Sequence, residues 1–466
     1  MGSLVAKWVY QGTGKTHEGI ELAIQWWGQV VEEANKNLPI LVICPIDVME
    51  SWESKFAMQY PDFNVTVIDR KNRNLFKQAL LYRDSEIYIM HWAGVNLLTD
   101  WFLENEIVFS VIVADEVHKI SNRNAQTTKN LKKLKTYGKL GLSGTPSGDK
   151  PWNLWSVLNW LDGKAFSSFW KFVDTFVEEE YDWRGSDKYR VLKKGKNIPY
   201  LHSIMEPWYV RHMKAERCCE HHPNGVMEWL PEKVHEHRYV DLSPKQRKVY
   251  DHMEQEMVAW LDSGVPLVAP VVIAQRTRLS QIALAQPTIV VETIETEDGD
   301  SYDKMTVELE MPSSKYDLLK EIIEEREGKP LVVFTSSKRM AYLVHNELAK
   351  DGITSAVLSG DTNGTDRPQL VNKFVAGEFQ VFIGVIAAVA EGIDGLQHAA
   401  DTLVFLDRHT SAVKNQQAED RLHRGGQKNS VTIIDIIARN TLDEMWVLER
   451  LPEKWARIRE VLDVNV

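Results

Sequence analysis

The stretch Gln11-Gly12-Thr13-Gly14-Lys15-Thr16 constrains the fold of this chain more than any other, because it demands a strand before it and a helix after it. The apolar run Leu4-Val5-Ala6-Lys7-Trp8-Val9-Tyr10 supplies the strand pattern, and apolar residues at helical spacing from Glu18 to Val31 supply the helix. Between them the glycines let backbone N–H groups turn inward around a polyphosphate. Lys15 sets a point charge on the outer phosphates, and the Thr16 hydroxyl can ligand Mg²⁺. The phosphates then also meet a helix N-terminus, where unpaired amides favour anions. The first glycine of the full G-x-x-x-x-G-K-S/T pattern falls at Val9, so the loop is a shortened one.

At 466 residues the chain exceeds what one hydrophobic core organises, and two or three domains are expected. No apolar run approaches the roughly 20 residues of a membrane span. The longest candidate, Val265 to Ala274, is interrupted by Pro266 and Pro270. Met1-Gly2 begins like a myristoylation site, but Ala6 stands where Ser or Thr is required. Three cysteines and no secretory signal point to a reducing compartment, a cytoplasm. A net charge of −11 speaks against nucleic acid as a partner only if it is spread evenly. From Lys119 to Lys139 there are seven Lys or Arg and no acid, a stretch that supplies either phosphate contacts or a solvated helix face.

After the first helix, Pro39-Ile40-Leu41-Val42-Ile43-Cys44-Pro45 has the pattern of a buried strand, and Phe63 to Asp69 and Glu86 to Trp92 repeat it with helical intervals between. Such alternation predicts a doubly wound parallel sheet. Val111-Ile112-Val113-Ala114 then leads into Asp115-Glu116, placing two carboxylates at the C-terminal edge of that sheet, beside the phosphate loop. Asp115 is the candidate Mg²⁺ ligand, and Glu116 the candidate base for an attacking water. Lys139 to Leu142 predicts another strand, with Ser143 and Thr145 in a tight turn at its end, positioned to sense the acids.

A phosphate loop, Asp115-Glu116-Val117-His118 and Leu142-Ser143-Gly144-Thr145-Pro146, in this order, resemble the first motor lobe of helicase superfamily two. The aromatic-rich segment from Pro151 to Leu161 narrows the resemblance to the Swi/Snf family of DNA translocases, with Trp152, Trp155 and Trp160 expected in the core. Tyr209 to Lys214 resembles the arginine-bearing segment that closes this lobe. Cys218-Cys219-Glu220-His221-His222 invites a zinc site, but adjacent side chains diverge and no second ligand pair completes it. The turn residues His222-Pro223-Asn224-Gly225 set the expected boundary, giving lobes at residues 1–224 and 225–466.

In the second half, Ser243 is a natural N-cap with Pro244 at the first helical position. Residues 242–311 resemble the family's helical protrusion. Strands are expected at Pro330 to Ser337, Thr354 to Gly360, Phe379 to Val385, Thr402 to Asp407 and Ser430 to Ile437. Gly384 to Leu396 resembles the motif that touches both nucleotide and DNA, with Asp394 where the Swi/Snf pattern usually has asparagine. Gln417 to Gln427 resembles the family's Q-x-x-D-R-x-H-R-x-G-Q. On a helix, Arg421 and Arg424 leave one face together and can reach a phosphoryl group held by the other lobe, with Gln416, Gln417 and Gln427 adding polar contacts. A closing helix, Thr441 to Leu462, is expected to brace the lobes.

The resemblance implies an α/β fold of two RecA-like parallel-sheet lobes with a helical insertion, a P-loop NTPase with ATP and Mg²⁺ as cofactors. It implies a monomeric DNA-dependent ATPase of compact bacterial or phage type, cytoplasmic, that translocates on double-stranded DNA, forked or branched DNA included. The catalytic set is Lys15, Glu116, Arg421 and Arg424. The nucleotide-binding set is Gln11, Gly12, Thr13, Gly14, Lys15, Thr16, Gly392 and Asp394, and the metal set is Thr16 and Asp115. The alternatives are a strand-separating helicase, the motor of a restriction system, or a nucleotide-binding scaffold without turnover. Glu116 and both arginines speak against the scaffold.

Overall fold

The computed structural model describes residues 14–34, 36–68, 72–184, 187–206, 209–210, 212, 214, 224–261, 266–268, 271–295, 301–364, 366–390 and 393–462. The chain divides into two compact units, Met1–Leu230 together with Lys454–Val466, and Pro231–Glu453. The division falls after Leu230, a few residues beyond the expected boundary at 224/225, and the C-terminal residues group with the first unit rather than the second.

In the first unit strands and helices alternate: α1 (Lys15–Ala34), β1 (Ile40–Cys44), α2 (Met49–Gln59), β2 (Val65–Val67), α3 (Arg73–Tyr82), β3 (Ile87–His91), α4 (Trp92–Glu104), β4 (Val108–Asp115), α5 (Gln126–Leu131) and β5 (Lys135–Leu142). The strands form one parallel sheet in the order β2-β3-β1-β4-β5. Helices cover both faces of such a sheet, so its central strands are apolar throughout. Every residue of β1 is buried, as are Val111 to Ala114 of β4. α1 lies close against β5, because a Cβ built on Gly19 would stand 2.7 Å from Leu142 Cδ1.

Beyond β5 come α6 (Leu154–Leu161), α7 (Phe169–Phe176), an antiparallel hairpin of β6 (Val177–Arg184) and β7 (Asp187–Gly195), and α8 (Ile198–Met205). The segment after β5 thus carries an antiparallel hairpin beside its helices. Trp155 and Trp160 are buried core residues and Trp152 is half-buried.

The second unit opens with β8 (Lys233–Val240), α9 (Pro244–Glu256), β9 (Val258–Trp260), β10 (Pro266–Val268), α10 (Val272–Leu284), β11 (Gln286–Glu295) and β12 (Ser301–Glu310). There follow α11 (Ser314–Glu325), β13 (Leu331–Thr335), α12 (Lys338–Lys350), β14 (Ser355–Leu358), α13 (Asp366–Val375), β15 (Val381–Val385) and α14 (Ile386–Val389). β16 (Thr402–Phe405), α15 (Ala412–Glu419), β17 (Val431–Ala438), α16 (Leu442–Met445) and α17 (Leu451–Leu462) complete the chain. Six strands form a second parallel sheet, β14-β15-β13-β16-β17-β8.

Three expectations change here. Residues 242–311 are not a wholly helical protrusion: the antiparallel pair β9/β10 lies between α9 and α10, and a second pair, β11/β12, follows α10. The β11 strand is rich in Val, Ile and Thr, whose branched side chains fit a pleated surface better than a helix. The sixth strand, β8, was not anticipated, because Lys-Val-His-Glu-His-Arg-Tyr-Val is an edge strand with only Val240 buried and so lacks a clear apolar pattern. The closing helix is interrupted by a π-helical turn at Trp446–Arg450 between α16 and α17. Its last residues bind within the first unit, where His202 Nε2 donates to the Val461 carbonyl at 3.0 Å and Tyr209 Oη to that of Leu462 at 2.7 Å. Ser243 caps α9 as expected, accepting from the Gln246 amide.

Candidate active site

β4 lies inside the first sheet, between β1 and β5, and releases Asp115 and Glu116 at its C-terminal end. Gly14, at a φ of +92° that glycine adopts without steric cost, turns the chain into α1 and so starts the helix at Lys15. The two segments, 101 residues apart in sequence, meet where Lys15 Nζ donates to Glu116 Oε1 at 3.0 Å. Thr16 follows in the first turn of the same helix.

The acids are held from several sides. Asp115 Oδ2 accepts from Trp52 Nε1 at 3.0 Å, Asp115 Oδ1 from the Glu116 amide at 2.9 Å, and the Asp115 carbonyl from Trp92 Nε1 at 2.9 Å. Glu116 sits at a φ of +52°, a left-handed conformation that costs a non-glycine residue about 1–3 kcal/mol and persists only where its surroundings enforce it. His118 Nδ1 lies 3.1 Å from Glu116 Oε2 and 3.3 Å from Ser143 Oγ, and Ser143 Oγ accepts from the Thr145 amide at 3.1 Å. Ser143 thus senses the acids through His118, and Thr145 joins the chain by its backbone.

Burial raises the Glu116 carboxyl, but Lys15 and then His118 outweigh it and hold it well below the usual carboxylate range. Burial also raises Asp115, and there it prevails: Lys15 opposes the shift, Glu116 adds to it, and the net direction is upward. One carboxylate is thereby kept ionised beside a lysine, while its neighbour is disposed to gain a positive partner. Each Asp115 oxygen accepts one hydrogen bond and retains lone pairs. Among the described residues no cluster of three His, Cys, Asp or Glu could hold a metal by protein ligands alone. Two hard oxygen donors, Asp115 and Thr16, suit Mg²⁺, which takes its remaining ligands from water and substrate phosphates.

Trp52 and Trp92 are site residues that sequence reasoning missed. Met49, Trp52 and Phe56 are the buried residues of α2, spaced three and four apart, a pattern that signals only a core stripe. The indole N–H that reaches Asp115 leaves no trace in that pattern.

In the second unit the spacing of Arg421 and Arg424 predicted a helix, but α15 ends at Glu419 and both arginines lie in the turns beyond it. Arg421 is buried and donates to the carbonyls of Ala390 and of Ile393, the latter at 2.7 Å, which draws the chain away from the helical path. Arg424 is partly exposed and pairs with Asp394 Oδ2 at 3.1 Å. Glu419 anchors the preceding helix end through Arg408 at 2.6 Å and Lys233 at 2.8 Å. Burial raises the Glu419 carboxyl, but Lys233 and then Arg408 hold it well below the ordinary range. Gln427 donates to the Ala400 carbonyl at 3.0 Å. Gly426, at a φ of +93°, leaves room for the His398 ring that a Cβ would meet at 2.7 Å.

The basic stretch from Lys119 to Lys139 is neither one helix face nor uniformly solvated, since α5 covers only Gln126–Leu131. Lys132 donates to Asn159 Oδ1 at 2.6 Å and lies 4.8 Å from the Trp155 ring, while Lys139 donates to the Trp160 carbonyl at 2.7 Å. Burial, with Lys139 adding, pushes Lys132 down to about 8. Lys129, Lys133 and Lys135 remain exposed. Gln11, Gly12, Thr13 and Gly392, together with Arg211 and the run Cys218 to His222, lie outside the described residues.

A model of the SNF2-related domain matches residues 11–294, and one of the helicase conserved C-terminal domain matches residues 314–426. The chain is 25% identical over 439 residues to a mouse chromodomain-helicase-DNA-binding protein 1-like protein, covering 93% of this chain and 45% of that one. It is 24% identical over 446 residues to a chromatin structure-remodeling complex subunit, snf21, of Schizosaccharomyces pombe, covering 93% and 35%. The chain thus spans less than half the length of either relative. The Sulfolobus solfataricus SWI2/SNF2 ATPase core in complex with dsDNA matches at 21% identity and a TM-score of 0.40, over 100% of this chain and 94% of that one. With more than half of its residues under the first of these family models, the chain belongs to the SNF2-related family.

Proposed function

We propose that the chain hydrolyses ATP with Mg²⁺ and uses the energy to translocate along double-stranded DNA, remodelling DNA or protein–DNA complexes. The observation that carries this is the 3.0 Å pair of Lys15 with Glu116, which joins a phosphate-binding lysine to a carboxylate at a strand end. When a nucleotide binds, Lys15 exchanges Glu116 for the outer phosphates, and Glu116, kept ionised and held on its other oxygen by His118, accepts a proton from the attacking water. Thr16 and Asp115 hold Mg²⁺, which when bound offsets the charge of the phosphates. Arg424 supplies positive charge to the transferred phosphoryl group and Arg421, buried on the carbonyls of Ala390 and Ile393, positions the turn that carries it, with Asp394 and Gly392 contributing to nucleotide binding. The names of the two relatives, one a helicase-DNA-binding protein and one a chromatin-remodeling subunit, support DNA as the track.

Tracking a phosphate backbone ignores base identity. ATPase activity should therefore rise with relaxed, covalently closed duplex circles of any sequence, and the motor should displace the third strand of a triplex when ATP and Mg²⁺ are present. Single strands or RNA stimulating better than duplex, with efficient unwinding of a long fork, would replace this function by a strand-separating helicase.

The exposed lysines of the basic stretch give a separate expected result. Reversing Lys129, Lys133 and Lys135 to Glu should weaken duplex binding equally for all sequences and flatten the log–log salt dependence by about one unit for each phosphate no longer neutralised. ATPase activity without DNA should survive. An unchanged affinity and salt slope, measured by anisotropy between low and moderate salt, would show that these lysines only solvate the surface.

A further inference from the structure

The β6/β7 hairpin of the first unit carries more exposed aromatic surface than its fold requires. Tyr181 pairs across the strands with Arg190 and Trp183 with Lys188, so these four side chains share one face. Trp183 is 63% exposed and Tyr181 54%, and Tyr189 on the opposite face is 44% exposed. Lys188 Nζ lies 4.1 Å from the centre of the Tyr181 ring.

The lower part of the hairpin is held firmly. Arg190 pairs with Asp174 and Glu179 and lies 4.6 Å from the Trp170 ring. Arg123, from the basic stretch, lies 3.9 Å from the Phe169 ring and 5.7 Å from that of Trp170. A ladder of cations and rings therefore runs from the basic stretch onto the hairpin. The other acids lie off this face: Glu180 pairs with Lys193 at 2.9 Å and Glu178 with Lys194 at 3.5 Å, Asp182 accepts from the Tyr189 hydroxyl at 3.0 Å, and Asp187 stands across from Arg184. The aromatic face near the tip is left with the positive charge of Lys188.

Rings joined to a cation, rigidly based and continuous with basic residues, match the chemistry of unpaired bases, whose π-faces stack on aromatics while their phosphates take the cation. Tyr181 and Trp183 are two residues apart on one face, about 7 Å along the strand, a spacing that matches one base stacked between two rings once Lys188 moves from the Tyr181 ring to the adjoining phosphate.

We propose that this hairpin is a base-stacking element that engages unpaired bases where duplex DNA meets a single strand, with Trp183 and Tyr181 as the platform and Lys188 on the adjoining phosphate. This rests on the DNA-motor function above and adds recognition of a junction to movement along duplex.

The test uses the full chain and a forked DNA with 2-aminopurine at the first unpaired position. Wild type should quench the 2-aminopurine and bind the fork about tenfold more tightly than a blunt duplex of equal length. Tyr181→Ala/Trp183→Ala should lose both the quenching and the preference, whereas Trp183→Phe should retain them. ATPase activity on closed duplex circles should be equal in all three, which also reports an intact fold. Quenching and fork preference that persist in the double alanine variant, or a wild type without them, would overturn the proposal. Failure of closed circles to stimulate the wild type would instead remove the motor function, and the quenching would still report on the hairpin.

Discussion

Lys15→Ala should abolish ATP turnover, and Glu116→Gln should lower it by about 10²- to 10⁴-fold while nucleotide still binds. The two changes remove different parts of one ion pair. Losing Lys15 takes away the charge that meets the outer phosphates, so binding and turnover fall together. Losing the Glu116 carboxylate removes only the proton acceptor, because the amide of glutamine preserves shape and leaves Lys15 in place. Lys15→Ala has a second consequence: it removes the largest influence that lowers the Glu116 carboxyl, leaving His118 alone against the upward effect of burial. His118 still pairs with Glu116, so the fold should persist, and a thermal melt reports this. Steady-state ATPase measurements beside titration with a fluorescent nucleotide decide the matter. Near-normal turnover in either variant would remove this site from the chemistry.

Arg424→Ala should cost about 10³-fold or more in turnover, the scale set by loss of an arginine that stabilises a transferring phosphoryl group. Its side chain is partly exposed and pairs with Asp394 at the surface, so the variant should melt near the wild-type temperature. Arg421→Ala should behave differently. That guanidinium is buried on the carbonyls of Ala390 and Ile393, and its removal takes the donor from the first and leaves the second only the 3.5 Å bond from Arg424, costing about 1–3 kcal/mol of stability for a group left unsatisfied. A lowered melting temperature for Arg421→Ala beside an unchanged one for Arg424→Ala would separate the positioning role from the chemical one. Full activity in Arg424→Ala would place the charge elsewhere.

Patterns repeated along the chain were enough to find most of the framework. The interior strands of the two parallel sheets are built largely of Val, Ile, Leu or other apolar residues, because strands covered on both faces must be apolar. The same logic set Asp115 and Glu116 at a strand end and Lys15 at the start of a helix. What it could not give is any contact whose partners lack a common sequence signal. β8 was hidden because an edge strand need bury little, and the β11/β12 pair because its polar tip interrupts the pattern. Trp52 and Trp92 pack as core residues and also donate to Asp115, a double role that spacing does not record. Lys132 and Arg421 were read from their charge, yet tertiary packing turns the one against Asn159 and Trp155 and the other onto the backbone at 390 and 393. Which residues could do chemistry followed from their types and order along the chain. Which of them point at one another was decided by packing, since a cation near a buried acceptor is worth more in low dielectric than any local preference of the segment that carries it.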